Sequence, residues 1–243
     1  MPSRYNSRKK VKAAKIPSPI LLKEFKPRTQ NQYEYIRCII ESDITFCIGP
    51  AGCGKTACAI GLALEYLSEG KISKIVLTRP IVEASSKRLG ALPGDVLAKI
   101  GPYMIPLYEE IEGYLGKHKL EEYIRNGTIV ICPLEVMRGR TFERSIIILD
   151  ESQNAEFDQI TMFMSRLGES SKAIINGDTR QTDLPARLAG GLSTHIDILS
   201  EVEGVSCAYL DKSDIQRNPI VGRILDKIEA YNESRNSGPD NFR

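Results

Sequence analysis

The chain is poor in the residues and segments that build metal frameworks, membrane spans and secretion signals. Its 243 residues include only two histidines, His118 and His195, and six cysteines, and no two of the cysteines have C-x-x-C spacing. A Cys/His zinc site is therefore not expected. No apolar run approaches the length of a membrane span, and the basic N-terminus lacks the apolar region of a secretory signal. Several cysteines fall in expected buried strands, which favours reduced thiols and a cytoplasmic location.

Charge is distributed unevenly along the chain. The net charge is +2, but residues 1–28 hold nine Lys or Arg against the single acid Glu24, a local charge of +8. We expect residues 1–28 to form a basic flexible arm. Such an arm is a candidate nucleic-acid contact, because neutralising phosphates releases counterions. A solvated leader that only aids solubility explains the same composition.

The strongest motif in the chain is a phosphate-binding loop, or P-loop, of the form G-x-x-x-x-G-K-[ST]. Its glycines allow the backbone N–H groups to face a phosphate, and the following helix adds positive potential at its N-terminus. Lys55 is expected to reach the β- and γ-phosphates, and the Thr56 hydroxyl to hold Mg²⁺. The predicted nucleotide-binding residues of the loop are Gly49, Pro50, Ala51, Gly52, Cys53, Gly54, Lys55 and Thr56.

A second acidic motif follows an apolar strand about a hundred residues downstream. Residues 145–149 are apolar after the first serine, and Asp150 and Glu151 follow. An apolar strand that ends in acids is a weak pattern alone, but paired with a P-loop it predicts the second half of a nucleotide site. We expect Asp150 to hold Mg²⁺ through water and Glu151 to activate the attacking water.

Strands and helices alternate along the rest of the chain, which predicts an α/β fold with a mainly parallel sheet flanked by helices. Residues 44–48, 74–78, 128–132, 171–176 and 205–210 are further expected strands. Residues 81–127 form a long excursion, in which Asp95 to Tyr114 predicts two short helices broken at prolines. Three tyrosines in the excursion are candidate stacking platforms for bases, although such residues are more often core: Tyr103, Tyr108 and Tyr114.

Three polar side chains near strand ends are further candidates. Gln32, with Gln30 second, precedes the first strand and has an amide that can read the adenine edge. Arg79 follows the second strand, where ligands bind in open α/β sheets. Gln181 follows the strand at 171–176 and is a candidate γ-phosphate sensor. Without further context, such glutamines are more often surface or turn residues.

Together these segments resemble the PhoH-like proteins, a P-loop ATPase family related in its core to superfamily 1 helicases. The resemblance covers about residues 27–231 and implies a single RecA-like ATPase core over 29–231, followed by a flexible tail at 232–243. It further implies ATP and Mg²⁺ as ligands, catalysis by Lys55 and Glu151, and a looser link to RNA. The short, basic N-terminus and the compact length suggest a phage member. Two departures from the family pattern are Ser152, where Ala is usual, and Asn176, where Thr is usual. The segments that carry the resemblance lie at 27–32, 49–56, 78–83, 89–95, 137–142, 148–154, 177–185 and 214–219.

The size of the chain bears on its assembly. Superfamily 1 helicases pair two cores, and the second supplies an arginine that can raise hydrolysis by ~10³ to 10⁵. This sequence has room for one core. We therefore expect a homo-oligomeric ring, for example a hexamer, in which a neighbour supplies the arginine. Arg217 is the first candidate, followed by Arg138 and Arg140, and the last two join Arg79 as candidate nucleic-acid contacts.

Three functions remain open from the sequence. The first is an ATPase motor acting on single-stranded RNA or DNA, in the manner of a helicase. The second is a small-molecule kinase, which would have less use for a glutamate beside the Mg²⁺-holding aspartate. The third is a nucleotide-switched binding protein that hydrolyses ATP slowly. The turnover rate and its response to nucleic acid distinguish the three.

Overall fold

The fold is known from a computed structural model that describes residues 23–81 and 96–215, together with residues 220, 223, 224, 227 and 231. For residues 96–100 only the backbone is described. Most of the basic arm, the motif at 89–95, Arg217 and the tail at 232–243 lie outside the described residues.

A six-stranded parallel sheet forms the centre of the described chain. The strand order is β3-β2-β4-β5-β1-β6, and every neighbouring pair is parallel. The carboxyl ends of all six strands therefore meet at one edge of the sheet. The strands are β1 (Ile44–Ile48), β2 (Lys74–Arg79), β3 (Ile129–Pro133), β4 (Ser145–Leu149), β5 (Lys172–Gly177) and β6 (Val205–Tyr209).

The strand sequences explain why this sheet is parallel and covered on both faces. β4 reads Ser-Ile-Ile-Ile-Leu and is buried throughout, which is typical of a strand that packs helices on both sides. β1 and β4 have the predicted bounds, and the predicted α/β class is confirmed. The order also places β5 between β1, which leads into the P-loop, and β4, which leads into the acidic motif.

Helices cover the two faces of the sheet in separate groups. One core contains residues of α1, α2, α3 and α4, among them Tyr35, Leu64 and Ile111. The other contains residues of α5 and α6, among them Phe163 and Leu192. The helices are α1 (Gln30–Glu41), α2 (Lys55–Ser68), α3 (Val96–Leu115), α4 (Lys117–Arg125), α5 (Phe157–Met164) and α6 (Gly191–Leu199).

The excursion after β2 differs from its prediction. Instead of two short helices, α3 is one helix of 20 residues that contains both Pro102 and Pro106. A proline inside a helix costs about 3 kcal/mol because it removes a hydrogen bond and crowds the preceding turn. Apolar residues on one face of α3 offset this cost. Leu107 and Ile111 are fully buried, and Met104, Tyr114 and Leu115 are nearly so.

The segment before α1 packs on the P-loop helix. Residues 23–29, here called the strap, run beside α2, and a Cβ atom on Gly61 would lie 2.2 Å from Cγ of Phe25. Gly61 therefore provides the space that the Phe25 ring occupies. Asp214 also secures this region, since its buried carboxylate accepts hydrogen bonds from Thr29 Oγ1 and, at 3.0 Å, from Asn31 Nδ2.

Among the described residues, no helix combines the length and the apolar character that a membrane span requires.

Candidate nucleotide site

The P-loop connects β1 to α2 at the carboxyl edge of the sheet. Gly52 and Gly54 have φ angles of 84° and 92°, which glycine adopts without the penalty of a side chain. Gly49 has no room for a side chain, because a Cβ atom there would lie 2.7 Å from the carbonyl oxygen of Leu210. The loop thus curls tightly and presents the N-terminus of a 14-residue helix, an arrangement suited to a phosphate.

Lys55 is folded back over the loop. Its Nζ donates hydrogen bonds to the carbonyl oxygens of Gly49 at 2.6 Å and Pro50 at 2.9 Å, and it lies 3.8 Å from Sγ of Cys53. Burial raises the pKa of the Cys53 thiol, so this thiol stays protonated at neutral pH. The ammonium group of Lys55 is therefore held at the centre of the loop by carbonyl oxygens.

The P-loop and the acidic motif meet through Thr56 and Asp150. Thr56 Oγ1 donates to Oδ1 of Asp150 at 2.7 Å. Arg79, at the end of the neighbouring β2, donates from Nε at 2.8 Å and from a terminal nitrogen at 2.6 Å to Oδ2. The structure thus brings together two residues of the predicted site, and it also engages Arg79 there.

This donor set fits Mg²⁺. The hydroxyl and carboxylate oxygens are the hard ligands that Mg²⁺ prefers, and Mg²⁺ in nucleotide sites commonly takes one or two protein oxygens and completes its shell with phosphates and waters. In the part of the chain that the structure describes, no cluster of three or more His, Cys, Asp or Glu side chains is suited to a metal.

Glu151 adopts an unusual backbone conformation. Its φ and ψ angles are 56° and 40°, in the left-handed region that costs a non-glycine residue about 1–3 kcal/mol at constrained sites. Its side chain is half exposed, and Oε2 accepts a hydrogen bond from Nε2 of Gln153 at 2.6 Å. One oxygen also lies 3.5 Å from Arg79. The carboxylate is therefore held at the sheet edge next to Asp150.

Gln153 connects Glu151 to the loop after β5. Its Oε1 accepts a hydrogen bond from the backbone N–H of Asp178 at 3.0 Å, and its carbonyl oxygen accepts from Oγ1 of Thr182 at 3.0 Å. Gln181, the predicted sensor, belongs to this loop, and its backbone N–H donates to the carbonyl of Asp178 at 3.2 Å. Its side chain is exposed on the loop.

Gln32 supports the P-loop from the side of α1. Its Nε2 donates to the carbonyl oxygen of Cys53 at 2.9 Å, and its Oε1 accepts from the N–H of Arg28 at 2.8 Å. Each end of the amide retains further hydrogen-bonding capacity, so an adenine contact remains a prediction. Gln30 is exposed and donates to Glu34.

A cavity of about 290 Å³ lies beside Gln32, between the strap, the P-loop and α3. Gly52 and Gly54 line one side of the cavity, and Glu110 and Tyr114 of α3 line another. Burial, as the largest cause, raises the pKa of the Glu110 carboxyl. It also raises the pKa of Tyr114 to about 12. The excursion thus contributes side chains next to the P-loop, and Tyr114 is largely core.

The remaining candidate arginines are placed differently. Arg138 and Arg140 are exposed beyond β3. The guanidinium of Arg140 lies 4.8 Å from the centroid of the Phe142 ring. The backbone carbonyl oxygen of Arg140 accepts a hydrogen bond from the side chain of Arg166, which follows α5. These contacts of Arg140 are with the segment after β3 and the end of α5, and not with the P-loop or the acidic motif. Arg217 is outside the described residues.

Sequence reasoning missed the contacts of two residues. Gln153 belongs to the Asp-Glu-x-Gln motif, but nothing else in the sequence indicates that its side chain contacts Glu151. The sequence suggests Arg79 only as a nucleic-acid contact, which stays a prediction, and gives no sign of its pairing with Asp150, 71 residues away. Adjacent polar residues at the ends of β2 and β4 would have indicated this pair if the strand order had been known.

Comparison with known proteins shows the family to which the chain is similar. The chain is 43% identical over 212 residues to the PhoH-like protein of Synechocystis sp., covering 87% of this chain and 63% of that relative. It is 44% identical over 211 residues to the PhoH-like protein of Bacillus subtilis, covering 87% of this chain and 65% of the relative. The chain thus spans somewhat less than two thirds of these curated relatives.

A solved structure and a family profile complete the comparison. The large terminase of a thermophilic bacteriophage matches with a TM-score of 0.50 at 11% identity, covering 84% of this chain and 50% of the terminase. At this identity the likeness shows the fold alone, that of a P-loop NTPase with a RecA-like core. The profile described as PhoH-like protein matches residues 24–229. With the P-loop, the acidic motif and these relatives in agreement, the chain belongs to the PhoH-like protein family.

Proposed function

We propose that this P-loop NTPase binds ATP with Mg²⁺, hydrolyses it, and couples hydrolysis to single-stranded nucleic acid. The observation that carries the proposal is the meeting of Thr56, Asp150 and Glu151 at one edge of the sheet, with Lys55 in the same loop. A glutamate placed beside the Mg²⁺-holding aspartate favours transfer of the phosphoryl group to water over transfer to a second substrate.

Each residue has a distinct task in this proposal. The P-loop N–H groups and Lys55 hold the phosphates, and Lys55 exchanges its two carbonyl partners for phosphate oxygens. Thr56 and Asp150 would hold Mg²⁺, which when bound neutralises charge on the β- and γ-phosphates. Glu151 accepts a proton from the attacking water. Gln153 positions Glu151 and connects it to the loop of Gln181, the proposed γ-phosphate sensor.

The nucleic-acid part of the proposal has separate support. The charge of +8 on residues 1–28 provides an electrostatic contact for phosphates. Arg138 and Arg140 are exposed and add a second basic surface on the body. ATP turnover gives the most direct test, and it should be measured alone and with single-stranded RNA, single-stranded DNA and duplex.

We expect single-stranded nucleic acid to stimulate ATP hydrolysis by the native chain. Lys55→Ala and Glu151→Gln should each abolish ATP hydrolysis. Lys55→Ala should also lose nucleotide binding, whereas Glu151→Gln should retain it. Lys71→Ala is the matched control, because Lys71 is exposed on the surface and pairs with Glu69. An ATP turnover rate that none of the nucleic acids changes would refute the coupling of hydrolysis to nucleic acid and would favour a nucleotide-switched protein or a kinase.

We further propose that a neighbouring copy supplies the arginine that stabilises the transferred phosphate, with Arg217 ahead of Arg138 and Arg140. Arg138 and Arg140 are supported by their exposure, and Arg217 is the first candidate from the sequence. Mixing inactive Lys55→Ala and Arg217→Ala chains tests this directly. If subunits share sites, some mixed interfaces contain both native residues, and activity returns. Absence of recovery, in mixtures that sedimentation shows to be mixed oligomers, refutes a trans role for Arg217.

A further inference from the structure

Both oxygens of the Asp150 carboxylate accept hydrogen bonds from residues of the same chain. Thr56 occupies Oδ1, and two nitrogens of Arg79 occupy Oδ2. The Asp150 side chain is only 3% exposed and that of Arg79 is 18% exposed. The contact is therefore a largely buried ion pair with two hydrogen bonds, rather than a solvent-exposed salt bridge.

A buried carboxylate requires a partner of opposite charge. Leaving such a group uncompensated is strongly destabilising, and the guanidinium of Arg79 provides the compensation here. The proposed function puts a divalent cation next to the same carboxylate. The Arg79 guanidinium and Mg²⁺ would repel each other when both lie next to Asp150. In addition, Oδ2 of Asp150, which would accept a hydrogen bond from a water bound to Mg²⁺, accepts from Arg79 in this structure.

We propose that Arg79 is a place-holding cation, which neutralises Asp150 when nucleotide is absent and withdraws when Mg²⁺–nucleotide binds. This inference rests on the proposed function. Arg79 is thus a positioning residue, acting through Asp150. Its withdrawal also removes a cation from the neighbourhood of Glu151, which lies 3.5 Å away, so the general base loses a competing partner when substrate arrives.

The geometry provides a route for this exchange. Arg79 is the last residue of β2, and its side chain reaches across to the neighbouring β4 at the open carboxyl edge. The guanidinium is partly exposed, so a change of side-chain rotamer carries it toward solvent without movement of the strand. Asp150 keeps its bond with Thr56 during the exchange.

Competition between Arg79 and Mg²⁺ has a measurable signature. With Mg²⁺ present, removing Arg79 frees Oδ2 of Asp150. The Mg²⁺ concentration that gives half-maximal nucleotide binding should then fall about tenfold, which corresponds to the free energy of one charge-assisted hydrogen bond. With Mg²⁺ chelated, the same change leaves the Asp150 charge uncompensated near the phosphates. Nucleotide binding should then weaken, so the effect of the substitution changes sign with Mg²⁺.

The experiment titrates a fluorescent N-methylanthraniloyl ATP analogue against native chain, Arg79→Gln and Arg79→Lys, from EDTA to millimolar Mg²⁺. Arg37→Gln is the control, because Arg37 is an exposed arginine paired with Glu34 on α1. We expect the Arg79→Gln curve to cross that of the native chain. Arg79→Lys retains the charge without the planar fork, and its Mg²⁺ midpoint should lie between the two.

Each outcome decides the matter. If Arg79→Gln binds the analogue more weakly at every Mg²⁺ concentration, Arg79 contacts the phosphates and the place-holding role is wrong. Curves that coincide with those of the native chain also overturn it. If Arg79→Gln unfolds, Arg79→Lys alone tests the shift in midpoint. Failure of the native chain to bind the analogue at all would instead refute the proposed function, so the two failures are distinguishable.

Discussion

Gln153 offers the sharpest test of how the site is organised, because one amide joins the general base to the sensor loop. Replacing Gln153 by Ala removes the donor that lies 2.6 Å from Glu151 and the acceptor that lies 3.0 Å from the N–H of Asp178. Its described hydrogen bonds involve neither Lys55 nor Thr56. The substitution should therefore affect the chemical step and leave phosphate binding intact.

The size of the effect follows from the bond that is lost. A hydrogen bond to a charged group contributes about 1.5–3 kcal/mol. If the Glu151 carboxylate must hold its position only when water attacks, this loss appears in the transition state and lowers kcat about ten- to hundredfold. The left-handed backbone of Glu151 strengthens the expectation, since a strained residue without its anchor relaxes toward commoner conformations.

Steady-state ATP turnover and equilibrium nucleotide binding together measure this effect. We expect kcat to fall while the Kd for Mg²⁺–nucleotide stays within about twofold of the native value. Gln159→Ala is the matched control. Gln159 caps α5 by accepting from the N–H of Glu156 at 2.9 Å, and its loss should lower thermal stability with kcat unchanged.

Two results would refute the reasoning about Gln153. An unchanged kcat would mean that Glu151 needs no anchor. A parallel loss of kcat and nucleotide affinity would mean that Gln153 supports the whole site rather than the general base alone.

Further predictions address stability and the strap. Ser152 Oγ is buried and, among the described atoms, has no hydrogen-bond partner, so Ser152→Ala should raise the free energy of unfolding by about 1 kcal/mol in denaturant titrations; a decrease would reveal a missed partner. Gly61→Ala should expel Phe25 and speed tryptic cleavage after Arg28, whereas Gly113→Ala, where a Cβ atom meets open space, should not. Burial raises the pKa of Cys58 from 9.0 to about 12; the unfolded chain therefore releases this proton first, and this thiol should lower the stability above pH 9 by about 1.4 kcal/mol per pH unit. Burial also raises the pKa of Cys47, Cys53, Cys132 and Cys207, so Cys58→Ala should make the alkaline slope shallower without removing it, and an unchanged slope would contradict the assignment.

Local sequence was sufficient to predict the elements around the nucleotide site. β1 and β4 are short apolar runs bounded by polar residues or glycine, and β-branched residues dominate them, so their bounds could be read directly. The P-loop predicted its own turn and helix because its glycines and lysine serve one chemical purpose. The two motifs alone assign Thr56 and Asp150 to one ion, and the structure joins these side chains at 2.7 Å.

α3 shows where local signals mislead. Pro102 and Pro106 are breakers by propensity, and the prediction of two helices followed them. The buried face formed by Leu107, Ile111 and Tyr114 outweighs both prolines, because tertiary packing contributes most of the stability of a helix in a protein. That face can be evaluated only once its neighbours are known.

Contacts between distant residues could not be predicted either. The pair of Arg79 and Asp150 exists because β2 lies next to β4, and alternating strands and helices do not specify that order. Asp214 contacts Thr29 across 185 residues for a similar reason, since β6 lies beside β1. The composition of each segment was informative, whereas partner choice depended on topology.

The strand order also explains how one site can act as a unit. β5 lies between β1 and β4, so the loop after β5 emerges between the P-loop and the acidic motif. The N–H of Gly49 donates to the carbonyl of Gly177 at 3.1 Å, and Gln153 accepts from Asp178, the next residue. A movement of this loop therefore acts on the phosphate-binding side and on Glu151 together. The Asp178 side chain holds the turn of this loop, because its Oδ1 accepts from the N–H of Arg180 at 3.0 Å. We therefore expect Asp178→Ala to loosen the loop and to alter nucleotide binding and turnover jointly, unlike Gln153→Ala.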